Sequence, residues 1–205
     1  MIDSAFIVTA FATLFVVMDP PGLVPLFIAL TRGMPAARRR AMARRACTIA
    51  AILLTAFAIA GDALLGFVGI SIPAFRIAGG ILLFLTALDM LFERRTQRRE
   101  GQQAEPDHDP SVFPLATPLI AGPGAIATMI LLVGQSGGGL AGTATVVGVM
   151  LAVIVTALVF LLLSPLLERA LGRTGTMVIT RLLGMLLAAL SVQFVIDGVR
   201  GTGLI

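Results

Sequence analysis

The sequence predicts an all-α membrane protein whose six transmembrane spans form two inverted three-helix repeats. Three observations carry that expectation. The 205 residues are 58% hydrophobic and only 13% charged, with a mean hydropathy of +1.01, far above the balance of a soluble domain. Six apolar stretches reach the roughly 20 residues that cross a hydrocarbon core. The first and fourth stretches are interrupted by proline and glycine at matching places.

In chain order the spans cover about 5–30, 46–69, 72–92, 112–134, 140–167 and 176–197. Together they make one transmembrane domain over 1–205. Repeat 1 covers about 1–92 and repeat 2 about 111–205. Between them, Glu93 to Pro110 is rich in arginine, glutamine and acidic residues with two prolines, the composition of a solvated linker. Asp3 stands where a cleaved signal would be basic, and no clear small-x-small site follows, so the mature chain is expected to begin here.

All 15 basic residues are arginine. Without lysine there is no P-loop, no Schiff base and no lysine general base, which argues against an ATP-driven or light-driven pump. His108, between Asp107 and Asp109 in the linker, is the sole histidine and reads as a surface residue; there is no His-Glu-x-x-His metal motif, and no span carries a histidine to serve a Ser/His pair. No enzyme activity, metal or cofactor is expected. Cys47, alone within an apolar run, reads as a small packed hydrophobe.

The net charge of +4 does not point to nucleic acid, because the arginines fall in short loops between apolar spans. With the N-terminus outside, Arg32, Arg38, Arg39, Arg40, Arg44, Arg45, Arg94, Arg95, Arg98, Arg99, Arg169 and Arg173 all lie in or beside cytoplasmic loops. The opposite loops, Gly61–Ser71 and Gln135–Gly142, contain no arginine. The asymmetry places both termini outside.

The internal repeat rests on short matches. Pro21-Gly22 in span 1 answers Pro123-Gly124 in span 4 at an offset of 102 residues. In the third spans, Arg76-Ile77-Ala78-Gly79 and Leu82 answer Arg181-Leu182-Leu183-Gly184 and Leu187, and Thr86 answers Ser191, at an offset of 105. A three-span unit is odd-numbered, so its second copy lies upside down in the membrane, the layout that commonly underlies alternating access. Chance likeness between apolar helices is the competing explanation.

Span 1 contains Met18-Asp19-Pro20-Pro21-Gly22-Leu23-Val24-Pro25. Its three prolines lack N–H donors, and their rings clash with the carbonyls of Val16, Val17 and Pro21. As a helix, residues 5–18 would rise about 21 Å, short of a hydrocarbon core of roughly 30 Å, so the span breaks near its middle. Span 4 has Pro114, Pro118 and then Ala121-Gly122-Pro123-Gly124-Ala125.

Polar backbone freed at such breaks costs several kcal/mol per group in hydrocarbon, so it survives only where protein, water or a ligand satisfies it. Half-helices beginning near Gly22 and Gly124 would offer the N–H groups of Leu23, Val24, Ala125 and Ile126 to an anionic group. The preceding ends, near Val16, Val17, Leu119 and Ile120, would offer carbonyls to an ammonium or small cation. A zwitterionic amino acid supplies one group for each, and glycine lets backbone approach it closely.

The candidate substrate site is therefore Asp19, Pro20, Pro21, Gly22 and Leu23 with Ala121, Gly122, Pro123, Gly124 and Ala125. Proline kinks that serve packing alone are the competing reading. An ionised Asp19 near mid-membrane costs at least ~2.5–3.5 kcal/mol. It reads as a proton or cation site, as a partner for a substrate ammonium, or as the cap of the half-helix starting at Pro20. Arg76 and Arg181, near the starts of spans 3 and 6, are either gates or snorkelling anchors. Thr86, Ser191 and Gln193 read as packing contacts, and Asp62, Asp89 and Asp197 as solvated span ends.

The run Met18-Asp19-Pro20-Pro21-Gly22-Leu23-Val24-Pro25-Leu26-Phe27 and the run Thr117-Pro118-Leu119-Ile120-Ala121-Gly122-Pro123-Gly124-Ala125-Ile126 resemble the two signature motifs of the MarC family of bacterial inner-membrane proteins. The likeness covers the whole chain, including the six-span layout, the basic first cytoplasmic loop and the variable linker. It implies a multi-pass protein of the inner membrane in the neutral amino acid transporter class, with some archaeal relatives linked to uptake of glycine and alanine. The implied partners are a small neutral amino acid, a proton or sodium ion and the lipid bilayer. The oligomeric state stays open. A membrane scaffold whose breaks serve packing, and a passive small-solute channel, are the alternatives.

Overall fold

A computed structural model describes residues 3–92, 109–137 and 139–203, and they are helical with no strand among them. The helices are α1 (Ser4–Met18), α2 (Pro20–Leu30), α3 (Ala36–Val68), α4 (Ile72–Leu91), α5 (Ser111–Ile120), α6 (Pro123–Gln135), α7 (Gly139–Leu162) and α8 (Ser164–Gly201). Five stretches are long and apolar enough to cross a membrane, with α1 and α2 counting as one. The bent pair α5–α6 makes a sixth. Residues 93–108, which hold most of the expected linker with Arg94, Arg95, Arg98, Arg99 and His108, lie outside the described residues.

Two boundaries move. Span 2 was expected from residue 46, but α3 begins at Ala36 and runs for 33 residues. Its first ten residues are mostly alanine and arginine, both strong helix formers, so the charges that end the apolar run do not end the helix. Met42 and Ala43 within this stretch, and Ala46 and Cys47 just past it, are buried. Span 5 was expected to reach residue 167, but α7 stops at Leu162 because Pro165 cannot donate to the Leu161 carbonyl and its ring would clash there.

The chain restarts at Ser164 as a short arm and bends again at Gly172 (φ 62, ψ −179) before the membrane-crossing stretch Thr174–Gly201. Only glycine reaches that backbone region readily. On the face where α3 begins, Arg45 pairs with Asp109 at 2.5 Å, and Asp109 also accepts from the Ser111 hydroxyl at 2.7 Å and the Ser111 N–H at 2.9 Å. Those two hydrogen bonds, with the Arg45 and Arg38 guanidiniums behind them, hold the Asp109 carboxyl below its usual range.

The most extensive helix pairing is α4 with α8. Between apolar helices in lipid, close approach through small residues replaces the hydrophobic driving force. A Cβ on Gly80 would sit 2.8 Å from the Ser191 carbonyl oxygen and 2.8 Å from the Val195 side chain. A Cβ on Gly184 would sit 3.4 Å from the Ala87 carbonyl oxygen and 3.4 Å from the Leu91 side chain, with Met90 at 3.0 Å. Gly198 meets Pro73 and Ile77 in the same way. Low numbers on α4 thus face high numbers on α8, and the two helices are antiparallel.

These contacts are reciprocal. Moving 104 residues along the chain turns Gly80 into Gly184, Ala87 into Ser191 and Leu91 into Val195, so each glycine meets the counterpart of what the other meets. Burial agrees: Leu83, Ala87 and Met90 on α4 and Leu187, Ser191 and Phe194 on α8 are all buried. The identity-based offset of 105 sets Leu82 against Leu187, yet Leu82 is 42% exposed and Leu83 is 0%. Of the adjacent pair Gly79-Gly80, only the second glycine makes the contact with α8, while the first meets Ala127 and Leu131 of α6.

Gly80→Leu and Gly184→Leu should each lower unfolding stability in detergent by ~1–3 kcal/mol through overpacking. Gly148→Ala, where an added Cβ meets nothing, should not lower it. Wild-type stability for both leucine variants would contradict the glycine contact.

Candidate functional site: two adjoining helix breaks

The first break follows from covalent chemistry. Pro20 and Pro21 cannot donate to the carbonyls of Val16 and Val17, so α1 ends at Met18. Asp19 then takes the left-handed conformation (φ 49, ψ 61), which aspartate tolerates better than most residues. It ties both half-helices together. Its N–H donates to the Phe15 carbonyl at 2.9 Å, its carbonyl accepts from Leu23 N–H at 3.1 Å, and its Oδ1 accepts from Gly22 N–H at 3.1 Å. Asp19 is 1% exposed.

This geometry corrects one expectation. The first turn of α2 has no N–H to offer a ligand: Pro20 and Pro21 have none, and those of Gly22 and Leu23 both go to Asp19. Val24 lies past the first turn, where the helix supplies the acceptor. The Asp19 carboxylate fills the place an anion would take. Gly22 is required for this, since a Cβ there would lie 2.0 Å from Asp19 Oδ2.

The second break is built differently. α5 is a wide-turn helix in which Phe113 (φ −127, ψ 126) and Thr117 (φ −132, ψ 122) are extended. Each precedes a proline, which disfavours helical backbone in the residue before it. Ala121 N–H closes the last wide turn on the Ala116 carbonyl at 2.9 Å. Gly122 passes so close to Pro118 that a Cβ would sit 2.5 Å from its carbonyl oxygen. There the chain bends by 51° into α6.

Gly122 caps α6 with no side chain, and Pro123 is its first residue. Ile126 N–H returns to the Gly122 carbonyl at 3.0 Å. The N–H groups of Gly124 and Ala125 therefore form the first-turn donors of α6, and no side chain caps them. Of the two helix starts, only the second has first-turn N–H groups that no side chain caps, and the expected donor Ile126 is not among them because it bonds to Gly122.

The breaks adjoin. A Cβ on Gly124 would lie 3.5 Å from the Val17 side chain, 3.0 Å from Leu83 and 3.8 Å from Thr86 Oγ1. The end of α1 and the middle of α4 thus wall the start of α6. Asp19, Pro20, Pro21, Leu23, Ala121, Gly124 and Ala125 are buried, Gly22 and Gly122 are partly buried, and Pro123 is exposed. Leu83 was missed as a wall residue, and nothing in its local sequence separates it from other span leucines.

Arg76 and Arg181 differ from each other. Arg181 is exposed, whereas Arg76 is partly buried on the α4 face that carries Gly80, Leu83, Ala87 and Met90. The hydroxyls of Thr86 and Ser191 donate to carbonyls of their own helices, Leu82 and Ala188. Gln193 donates to Asp197 at 2.8 Å. Packing roles fit these contacts.

The family description "MarC family integral membrane protein" matches residues 4–202. Similar proteins include a UPF0056 membrane protein of Aquifex aeolicus, 40% identical over 94% of this chain and 92% of its own length. The UPF0056 membrane protein YvbG of Bacillus subtilis is 39% identical over 96% of this chain and 95% of its own. The UPF0056 inner membrane protein YhgN of Escherichia coli is 35% identical, covering 95% and 96%. No solved structure matches significantly.

Asp19→Asn should keep nearly wild-type stability, because asparagine caps helices and tolerates left-handed backbone equally well. Asp19→Ala should lose roughly 1–3 kcal/mol from the lost cap and the strained backbone together. Unfolding of the purified variants reads the difference, and an alanine variant as stable as wild type would sink the capping role.

Proposed function

The chain belongs to the MarC family of integral membrane proteins, and we propose that it is a secondary transporter of small neutral amino acids such as glycine and alanine. It works by alternating access and is coupled to a proton or sodium gradient. The observation that carries this reading is the adjacency of two chemically unequal breaks. One holds a buried acid, Asp19, whose helix start has no N–H left to give. The other holds two N–H donors that no side chain caps, on Gly124 and Ala125.

A zwitterion fits that division of labour. Its carboxylate goes to the start of α6, where the helix dipole favours negative charge. Its ammonium goes toward Asp19 and the carbonyls of Val16 and Val17, whose usual helical donors are prolines. Asp19 is the coupling group on this reading, since it takes up a cation or proton in the same space. The tight packing around Gly124 favours substrates with the smallest side chains.

Alternating access needs two related halves, and the reciprocal Gly80 and Gly184 contacts support an inverted repeat with α4 and α8 at its axis. The arginine distribution supports an orientation with both termini outside the inner membrane. No covalent chemistry is assigned to the chain.

Purified protein in liposomes should accumulate glycine or alanine under a proton or sodium gradient. Asp19→Asn, which keeps the cap, should cut gradient-driven uptake at least tenfold, or about 1.4 kcal/mol in the rate. If wild type moves none of a panel of neutral amino acids under any gradient, the substrate assignment is wrong.

A further inference from the structure

Arg76 lies on the inward stripe of α4, spaced four, three, four and three residues along Gly80, Leu83, Ala87 and Met90. Those four are buried against the rest of the bundle, so the arginine starts out aimed the same way. Its Nε is buried and has no hydrogen-bond partner. An arginine that snorkels to headgroups keeps its polar end in water, whereas this guanidinium has a donor turned away from it.

The reciprocal register gives Arg76 a counterpart. A shift of 104 residues carries it onto Thr180, and Thr180 Oγ1 is likewise buried without a partner. Two equivalent positions in oppositely directed helices thus each carry a buried, unanswered polar atom. A buried donor without a partner costs about 1–3 kcal/mol, so finding one at both positions calls for a common account.

Their level in the bundle supplies it. Gly124 packs on Leu83 and Thr86, and Gly79 packs on Ala127 and Leu131 further along α6. Arg76 is one turn beyond Gly79 and about 10 Å along α4 from Leu83, on the side where α4 begins. That side is the outer one in the orientation the arginines set. Along α4, Arg76 therefore lies between the level of the breaks and the outer surface, and Thr180 lies toward the inner end of α8.

Resting on the transport reading above, we propose that Arg76 is a specificity-determining residue that holds the substrate's carboxylate on the outer side of the breaks. The planar guanidinium matches a carboxylate with paired donors, which a lysine ammonium cannot reproduce. A carboxylate is drawn in from outside by Arg76 and handed to the N–H groups of Gly124 and Ala125.

The test is glycine uptake from the outer side by full-length protein in liposomes. Arg76→Gln should raise KM for glycine about tenfold or more while leaving the maximal rate within about twofold, and Arg76→Lys should restore part of the loss. Inhibition by glycinamide, which lacks the carboxylate, should be the same in wild type and R76Q. The melting temperature of R76Q should match wild type, because the buried Nε makes no bond to lose. An unchanged KM in R76Q, an equal loss for glycinamide, or a lowered melting temperature with unchanged KM would each overturn the proposal while leaving transport intact. Absence of glycine uptake by wild type would overturn the transport reading itself.

Discussion

Inside a bilayer a helix must bond its own backbone, and proline removes the donor that makes this possible. In this chain that constraint acts twice. At Pro20 and Pro21 it strips two carbonyls of their partners and forces Asp19 into a left-handed turn. At Pro114, Pro118 and Pro123 it opens the turns of α5, makes Gly122 the corner and leaves Gly124 and Ala125 as the first N–H donors of α6. The two solutions differ because the first break has an acid to stitch it and the second has only glycine and alanine. The chemical inequality of the site follows from that difference.

A broken helix needs a frame that does not share its weakness, and α4 and α8 supply one. Their interface is made where glycine lets a backbone carbonyl approach within van der Waals range, at Gly80 and again at Gly184. In lipid such close contact is the main source of helix association. The same frame presents Leu83 and Thr86 to the start of α6, so the most extensive pairing among the described helices also forms a wall of the candidate site. The alternating access proposed above would rearrange the breaks against this pair of helices.

Much of the architecture was legible from composition. The apolar spans and the helix ends at Met18 and Ile120 follow from apolar length and from prolines, whose effects are local and covalent. What escaped the sequence depends on contacts between distant segments. That Gly80 rather than Gly79 packs on α8 shows only in the packed face. The Asp19 carboxylate was expected as one of several roles, but that its Oδ1 uses up the α2 donor of Gly22 became visible only with the turn geometry. The arginines at 38–45 were placed in the loop before span 2, although helix propensity extends α3 back through them. Leu83 became a site residue through the helix it faces, which no local pattern encodes.

The central claim is that the space between the breaks opens in turn to each side of the membrane. Ala125 is buried at that place, and its replacement by cysteine in a Cys47→Ala background changes little bulk. The decisive measurement is its reaction with membrane-impermeant thiol reagents added to one side at a time, with and without saturating glycine. The account predicts slow labelling from both sides, with glycine slowing it from each. Protection from both sides under all conditions, while cysteines in the loops label normally, would contradict it and leave the breaks as packing features.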